Sequence, residues 1–98
     1  MEEKIQLRHP AGKHAVRMDS DKYQLFRNAI LKSLPEGKAV THGELLKFVL
    51  HYLKKNKISF NGSVEWHMET VKLDLEANKL ITRVKESGRQ YFKLSNHH

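Results

Sequence analysis

Apolar residues recur three and four positions apart in three separate stretches of the chain, and each stretch predicts an amphipathic helix. Tyr23, Phe26, Ile30 and Leu34 form the first stripe. Asp19 or Ser20 stands where a side chain can cap its free N–H groups, and Pro35-Glu36-Gly37 ends it. Leu45, Phe48, Val49 and Tyr52 form the second stripe, with Leu46, Leu50 and Leu53 widening it. Thr41 opens that helix with Glu44 three residues on, the spacing at which each side chain bonds the other's main-chain N–H. It runs out in Lys54-Lys55-Asn56-Lys57, where cations meet the negative end of the helix dipole and Asn56 can adopt a left-handed terminator. Ser63 caps the third helix, expected to reach Glu76 or Ala77 with Asn78 as its stop. Val64, Met68, Val71 and Leu75 form its core face.

The remaining apolar positions alternate, as in strands. Lys38-Ala39-Val40 predicts one short strand. Leu80-Ile81-Thr82-Arg83-Val84 and Gln90-Tyr91-Phe92-Lys93-Leu94 predict a hairpin around the loop Lys85-Glu86-Ser87-Gly88-Arg89. Near the N-terminus, Ile5 and Leu7 face Val16 and Met18 across the turn signal Pro10-Ala11-Gly12-Lys13, predicting an extended arm or a loose hairpin. The order is helix, short strand, helix, helix, strand, loop, strand. The expected fold is α+β, mainly α: an arm over 1–18, one domain over 19–95 and a tail over 96–98. A chain of 98 residues has room for one such core and not two.

The stretch from Val71 to Arg83, with Leu75-Glu76-Ala77-Asn78-Lys79-Leu80-Ile81-Thr82-Arg83 at its centre, resembles the end of the recognition helix and the first wing strand of winged helix-turn-helix regulators. Arg89-Gln90-Tyr91-Phe92-Lys93-Leu94 resembles their second wing strand. The resemblance implies three helices plus a C-terminal β-hairpin wing, here with an extended N-terminal arm, and a regulatory role through DNA binding. The whole chain, with Gly62-Ser63-Val64-Glu65-Trp66, also resembles a small bacterial family of unknown function.

The third helix departs from a reading helix in two respects. Trp66, Leu73 and Ala77, with Thr70 beside them, fall nearly opposite the core stripe, where a groove-facing surface is usually polar and basic. Residues 63–78 also hold Glu65, Glu69, Asp74 and Glu76 against Lys72 alone, a net −3. The total is +7, which leaves +10 for the rest of the chain. Glu65, Glu69 and Glu76 share one edge, where they would repel phosphate. Leu25 and Leu31 likewise lie off the main stripe of the first helix. This apolar surplus predicts burial of Trp66, Leu73, Ala77, Leu25 and Leu31 under the arm or in a homodimer contact.

The net charge of +7 favours an anionic partner, and DNA is the leading one. The expected contacts are Arg83, Lys85, Arg89 and Lys93 on the wing, Lys54, Lys55 and Lys57 at the exit of the second helix, and Lys13 and Arg17 on the arm. Wing and arm are suited to the DNA backbone more than to base edges. The alternative is a winged-helix module that binds protein or itself, with the positive charge serving solubility. No enzyme motif is present, and no cofactor or small-molecule ligand is implied. Seven histidines lack ligand spacing and cysteines are absent, so no metal site is expected. The absence of cysteine, of a secretory start and of a long apolar run points to a cytoplasmic protein away from membranes.

Overall fold

The computed structural model describes residues 3–12 and 16–95. In chain order its elements are β1 (Lys4–Gln6), β2 (Arg17–Asp19), α1 (Ser20–Ser33), α2 (His42–Lys55), α3 (Val64–Ala77), β3 (Ile81–Glu86) and β4 (Arg89–Leu94). Three helices with two small antiparallel strand pairs make an α+β fold that is mainly α, and a β-hairpin follows the last helix.

Each helix buries one line of side chains. Tyr23, Phe26, Ala29 and Ile30 point inward from α1, and Met68, Val71 and Leu75 from α3. In α2 the buried line is Leu45, Val49 and Leu53, so the stripe is rotated from the one expected. Phe48 and Leu50 remain 38% and 46% exposed. The line 45–49–53, spaced by four, faces the core and leaves Phe48 at the edge of the α1–α2 contact.

Thr41 and Glu44 form the expected capping box, with Thr41 N–H donating to Glu44 Oε1 at 2.9 Å and Glu44 N–H to Thr41 Oγ1 at 3.1 Å. The Thr41 N–H, and after it the Thr41 hydroxyl, hold the Glu44 carboxyl below its ordinary value. Asp19 precedes α1 without capping it. Its carboxylate instead meets Lys4 at 3.4 Å and Lys22 at 3.6 Å.

The third helix stops at Asn78 as expected, whereas the left-handed residue after the second is one position beyond the expected Asn56. Asn56 and Asn78 keep right-handed geometry, while Lys57 and Lys79 take the left-handed conformation at φ 54° and 64°. Ile58 N–H bonds to the Leu53 carbonyl and Lys57 N–H to Lys54; Leu80 N–H bonds to Leu75 and Lys79 N–H to Glu76. Both ends are therefore Schellman turns, with lysine where glycine is usual.

The C-terminal hairpin is tighter than its sequence suggests. Its strands extend to Glu86 and Arg89, leaving only Ser87-Gly88 to turn the chain, at φ 50° and 79°. Two successive left-handed residues make a type I′ turn, whose twist matches that of the strands. Val40 joins the outer side of β4 through paired bonds with Phe92 of 2.9 and 2.7 Å, so the predicted short strand is a single bridge.

At the N-terminus a hairpin forms: Ile5 pairs with Met18, and Leu7 N–H bonds to the Val16 carbonyl at 3.0 Å. Leu7 and Met18 are buried in the same cluster as the helix stripes. The β1–β2 hairpin thus completes the core of the three-helix unit.

Candidate nucleic-acid interface

Cross-strand partners in an antiparallel pair share a face. The register Ile81↔Leu94, Arg83↔Phe92 and Lys85↔Gln90 therefore defines one face of the C-terminal hairpin. Thr82↔Lys93, Val84↔Tyr91 and Glu86↔Arg89 define the other. Ile81 and Phe92 are buried, so the first face lies on the core and the second faces outward. The four expected wing cations are divided between them, and their roles differ.

Arg83 is committed within the fold. Its guanidinium holds Glu76 by Nε at 3.0 and 3.2 Å and by Nη2 at 3.0 Å, bonds Gln90 Oε1 at 2.9 Å, and stands 5.1 Å over the Phe92 ring. Breaking that bidentate pair to reach a phosphate would cost it several charge-assisted bonds. Lys85 and Arg89 flank the turn and are exposed, and Lys93 is half-buried on the outward face beside Tyr91. Among the described residues none of these three has a carboxylate within ion-pair distance. Arg17 is exposed on the solvent side of the N-terminal hairpin, opposite the inward Met18. Lys54, Lys55 and Lys57 are exposed at the α2 exit. Lys13 lies outside the described residues.

The acidic edge of α3 is engaged by side chains of the fold. Glu65 Oε2 lies 3.0 Å from His42 Nε2, Glu69 lies 3.3 Å from His42 Nδ1 and 3.5 Å from Lys72 Nζ, and Glu76 holds Arg83. Lys72 is only 1% exposed, with its ammonium 3.7 Å from the centre of the Phe92 ring and donating to His42 Nδ1 at 2.9 Å. Burial pushes Lys72 below the ordinary lysine value, against the pull of Glu69.

Asp74 is the second buried charge of α3, 3% exposed. Its Oδ1 accepts the Arg8 main-chain N–H at 2.8 Å, and its Oδ2 accepts the Tyr23 hydroxyl at 2.7 Å and Asn78 Nδ2 at 3.2 Å. This one carboxylate ties the N-terminal hairpin, α1 and the end of α3 together. Burial, then the bond to Asp74, raises the Tyr23 phenol to about 12. Neither Lys72 nor Asp74 stood out in the sequence as more than a charge. The available signal was position: both sit beside the Met68–Val71–Leu75 line, where a charge must be partnered.

The residues expected to be covered fall into two groups. Leu25 and Leu31 are half-buried against the chain's own core. Leu73 and Ala77 are half-buried on the outer side of α3, and Trp66 remains 48% exposed. Trp66, Thr70 and Leu73 line a groove of about 130 Å³ whose other wall is Leu7, Arg8, His9 and Val16 of the N-terminal hairpin. The arm therefore lies along the face that a reading helix would present to a DNA groove.

The histidines are dispersed. His67 Nδ1 donates to the Ser63 carbonyl at 2.7 Å, and its ring stacks on Phe26 at 5.5 Å. The Ser63 hydroxyl accepts from the Trp66 N–H at 3.0 Å as a helix cap. His9 Nδ1 accepts from Ala11 N–H at 3.1 Å. His14, His97 and His98 lie outside the described residues. Among the described residues no group of three or more His, Cys, Asp or Glu side chains is placed to hold a metal ion. None of the described helices is long and apolar enough to cross a membrane.

Residues 4–91 match the family of unknown function DUF6958, and the chain belongs to it. The match runs from β1 into β4, so the N-terminal hairpin is part of what defines the family's unit. No curated protein and no solved structure matches the chain.

Proposed function

We propose that the protein is a winged-helix DNA-binding regulator that grips the sugar–phosphate backbone with its C-terminal hairpin, assisted by the N-terminal arm. The observation that carries this reading is the set Lys85, Arg89 and Lys93: cations on a two-stranded ribbon with no carboxylate at ion-pair distance among the described residues, with Arg17 exposed on the other hairpin. Ion pairs of Glu69 with Lys72 and of Glu76 with Arg83 lower the repulsion that α3 would otherwise exert on phosphate. The arm along its outer side argues against α3 entering a groove. Binding is then dominated by phosphate contacts and by the shape of the duplex.

Duplex DNA of mixed sequence, titrated at two salt concentrations, tests this. Three or four phosphate contacts weaken binding roughly 40- to 150-fold between about 50 and 200 mM salt. A Lys85→Ala/Arg89→Ala/Lys93→Ala variant should lose binding at the lower salt. Failure of the wild-type protein to bind there contradicts the proposal.

A second reading rests on a separate observation. Trp66 and Val16, 48% and 38% exposed, open the apolar groove between α3 and the arm to solvent. Covering it with a second copy would make the protein a self-associating module in which the basic residues serve solubility. Sedimentation of the wild-type protein and a Trp66→Ala variant separates the readings. A dimer lost in the variant, without DNA binding, favours this second one.

A further inference from the structure

Beside the core line of α2, at the edge of its contact with α1, the last turn of α1 and the last two turns of α2 enclose a groove of about 230 Å³. Lys32 and Ser33 form one wall, and Phe48, His51, Tyr52 and Lys55 the other. Those four α2 positions are spaced by three, four and seven residues, so they form one continuous strip of helix surface. Phe48 is 38% exposed and Tyr52 half-buried, so the strip offers aromatic area that the fold leaves wet.

We infer that this groove docks an acidic segment of a partner protein that carries an apolar anchor. Charge selects the class of occupant. Lys32 and Lys55 rim the groove, Lys47 and Lys54 are exposed on the same helix, and among the described residues no carboxylate lines it. The acid one turn before Phe48, Glu44, is engaged in the helix cap with Thr41. Chemistry then narrows the class. A DNA backbone satisfies the lysines but gives the Phe48 ring nothing to bury against. A peptide with aspartates or glutamates around a leucine or phenylalanine satisfies both, its apolar side chain entering between the rings and Ser33 while carboxylates meet the lysines. The site is distinct from the C-terminal hairpin, so it lets one chain hold DNA and an acidic partner together.

Two fluorescein-labelled peptides of equal negative charge test the inference on the full chain. One carries a central Phe-x-x-Leu pair between acidic residues, and the other has serines in place of the pair. The first should bind and shift the amide resonances of residues 48–55, the second at least about fivefold more weakly. Lys32→Glu/Lys55→Glu should weaken the first peptide about tenfold or more, and Phe48→Ser comparably. Phe48 lies outside the core cluster, so its variant is expected to keep its thermal unfolding. The Lys85→Ala/Arg89→Ala/Lys93→Ala variant should bind the peptide normally, which keeps this site's outcome separate from that of DNA binding. Equal binding of the two peptides, an unchanged affinity in the groove variants, or no resonance shift at residues 48–55 would overturn it.

Discussion

The hydroxyl of Tyr23 in α1 donates to Oδ2 of Asp74 in α3 at 2.7 Å, and Oδ1 of the same carboxylate holds the Arg8 main-chain N–H at 2.8 Å. This buried anion is partnered by two groups 66 and 51 residues away and by Asn78 at the end of its own helix. Substituting any one partner should therefore be felt by the N-terminal hairpin as well as by the helices.

Burial of Tyr23, together with its bond to Asp74, gives the protein an alkaline limit. With its phenol raised from 10.0 to about 12, folded Tyr23 holds its proton more tightly than the unfolded chain does. Its contribution is complete below pH 10 and is lost as pH climbs toward 12, on the order of 1–3 kcal/mol. Tyr23→Phe should be less stable at neutral pH by about 1–3 kcal/mol, since it leaves a buried carboxylate short of a donor. It should also lose less stability than the wild type between pH 10 and 12. Denaturant melts of both proteins at neutral and alkaline pH give the comparison.

Arm docking has a local readout. Asp74→Ala removes the acceptor for Arg8 N–H, so the N-terminal hairpin should open before the helices do. Hydrogen exchange should show the Leu7 amide, which bonds the Val16 carbonyl, losing protection ahead of Val49 or Val71. Equal loss throughout would mean that the hairpin and helices unfold as one unit.

The helix exits contain removable strain. Lys57 and Lys79 occupy left-handed positions that cost a residue with a Cβ about 1 kcal/mol, partly offset by the lower unfolded-state entropy of lysine relative to glycine. Lys79→Gly should raise stability by about 0.5–1 kcal/mol, read as a shift in denaturation midpoint. Lys57→Gly should act in the same direction.

If the proposed DNA binding holds, the pair with Glu76 keeps Arg83 from a phosphate. Glu76→Gln should free the guanidinium, tighten duplex binding at low salt and steepen the salt dependence by about one phosphate. Unchanged affinity would show that Arg83 points away from the bound duplex even when released.

Local signals made most of the fold legible. Thr41 with Glu44, Ser63 before an apolar period, and Ser87-Gly88 between alternating strands each act within a few residues. The left-handed terminators were missed because lysines occupy positions where composition favours glycine or asparagine. The α2 stripe was misplaced because 45–49–53 and 48–52 are equally apolar lines, and only packing against α1 and α3 chooses between them. The division of the four hairpin cations between two faces is not legible in sequence for a different reason. Four cations close in sequence count as one cluster until the register puts Arg83 on the core side and Glu76 within its reach. The same non-local pairing hides the meaning of Asp74, whose partners lie 51 and 66 residues away.

The central claim is that the hairpin, and not α3, meets the DNA. Amide resonances of the labelled protein, followed as a mixed-sequence duplex is added at low salt, test it residue by residue. The account predicts shifts concentrated at residues 84–93 and at Arg17, with Val64–Ala77 little changed, all reversed by added salt. Shifts centred on α3, or none anywhere, would contradict it.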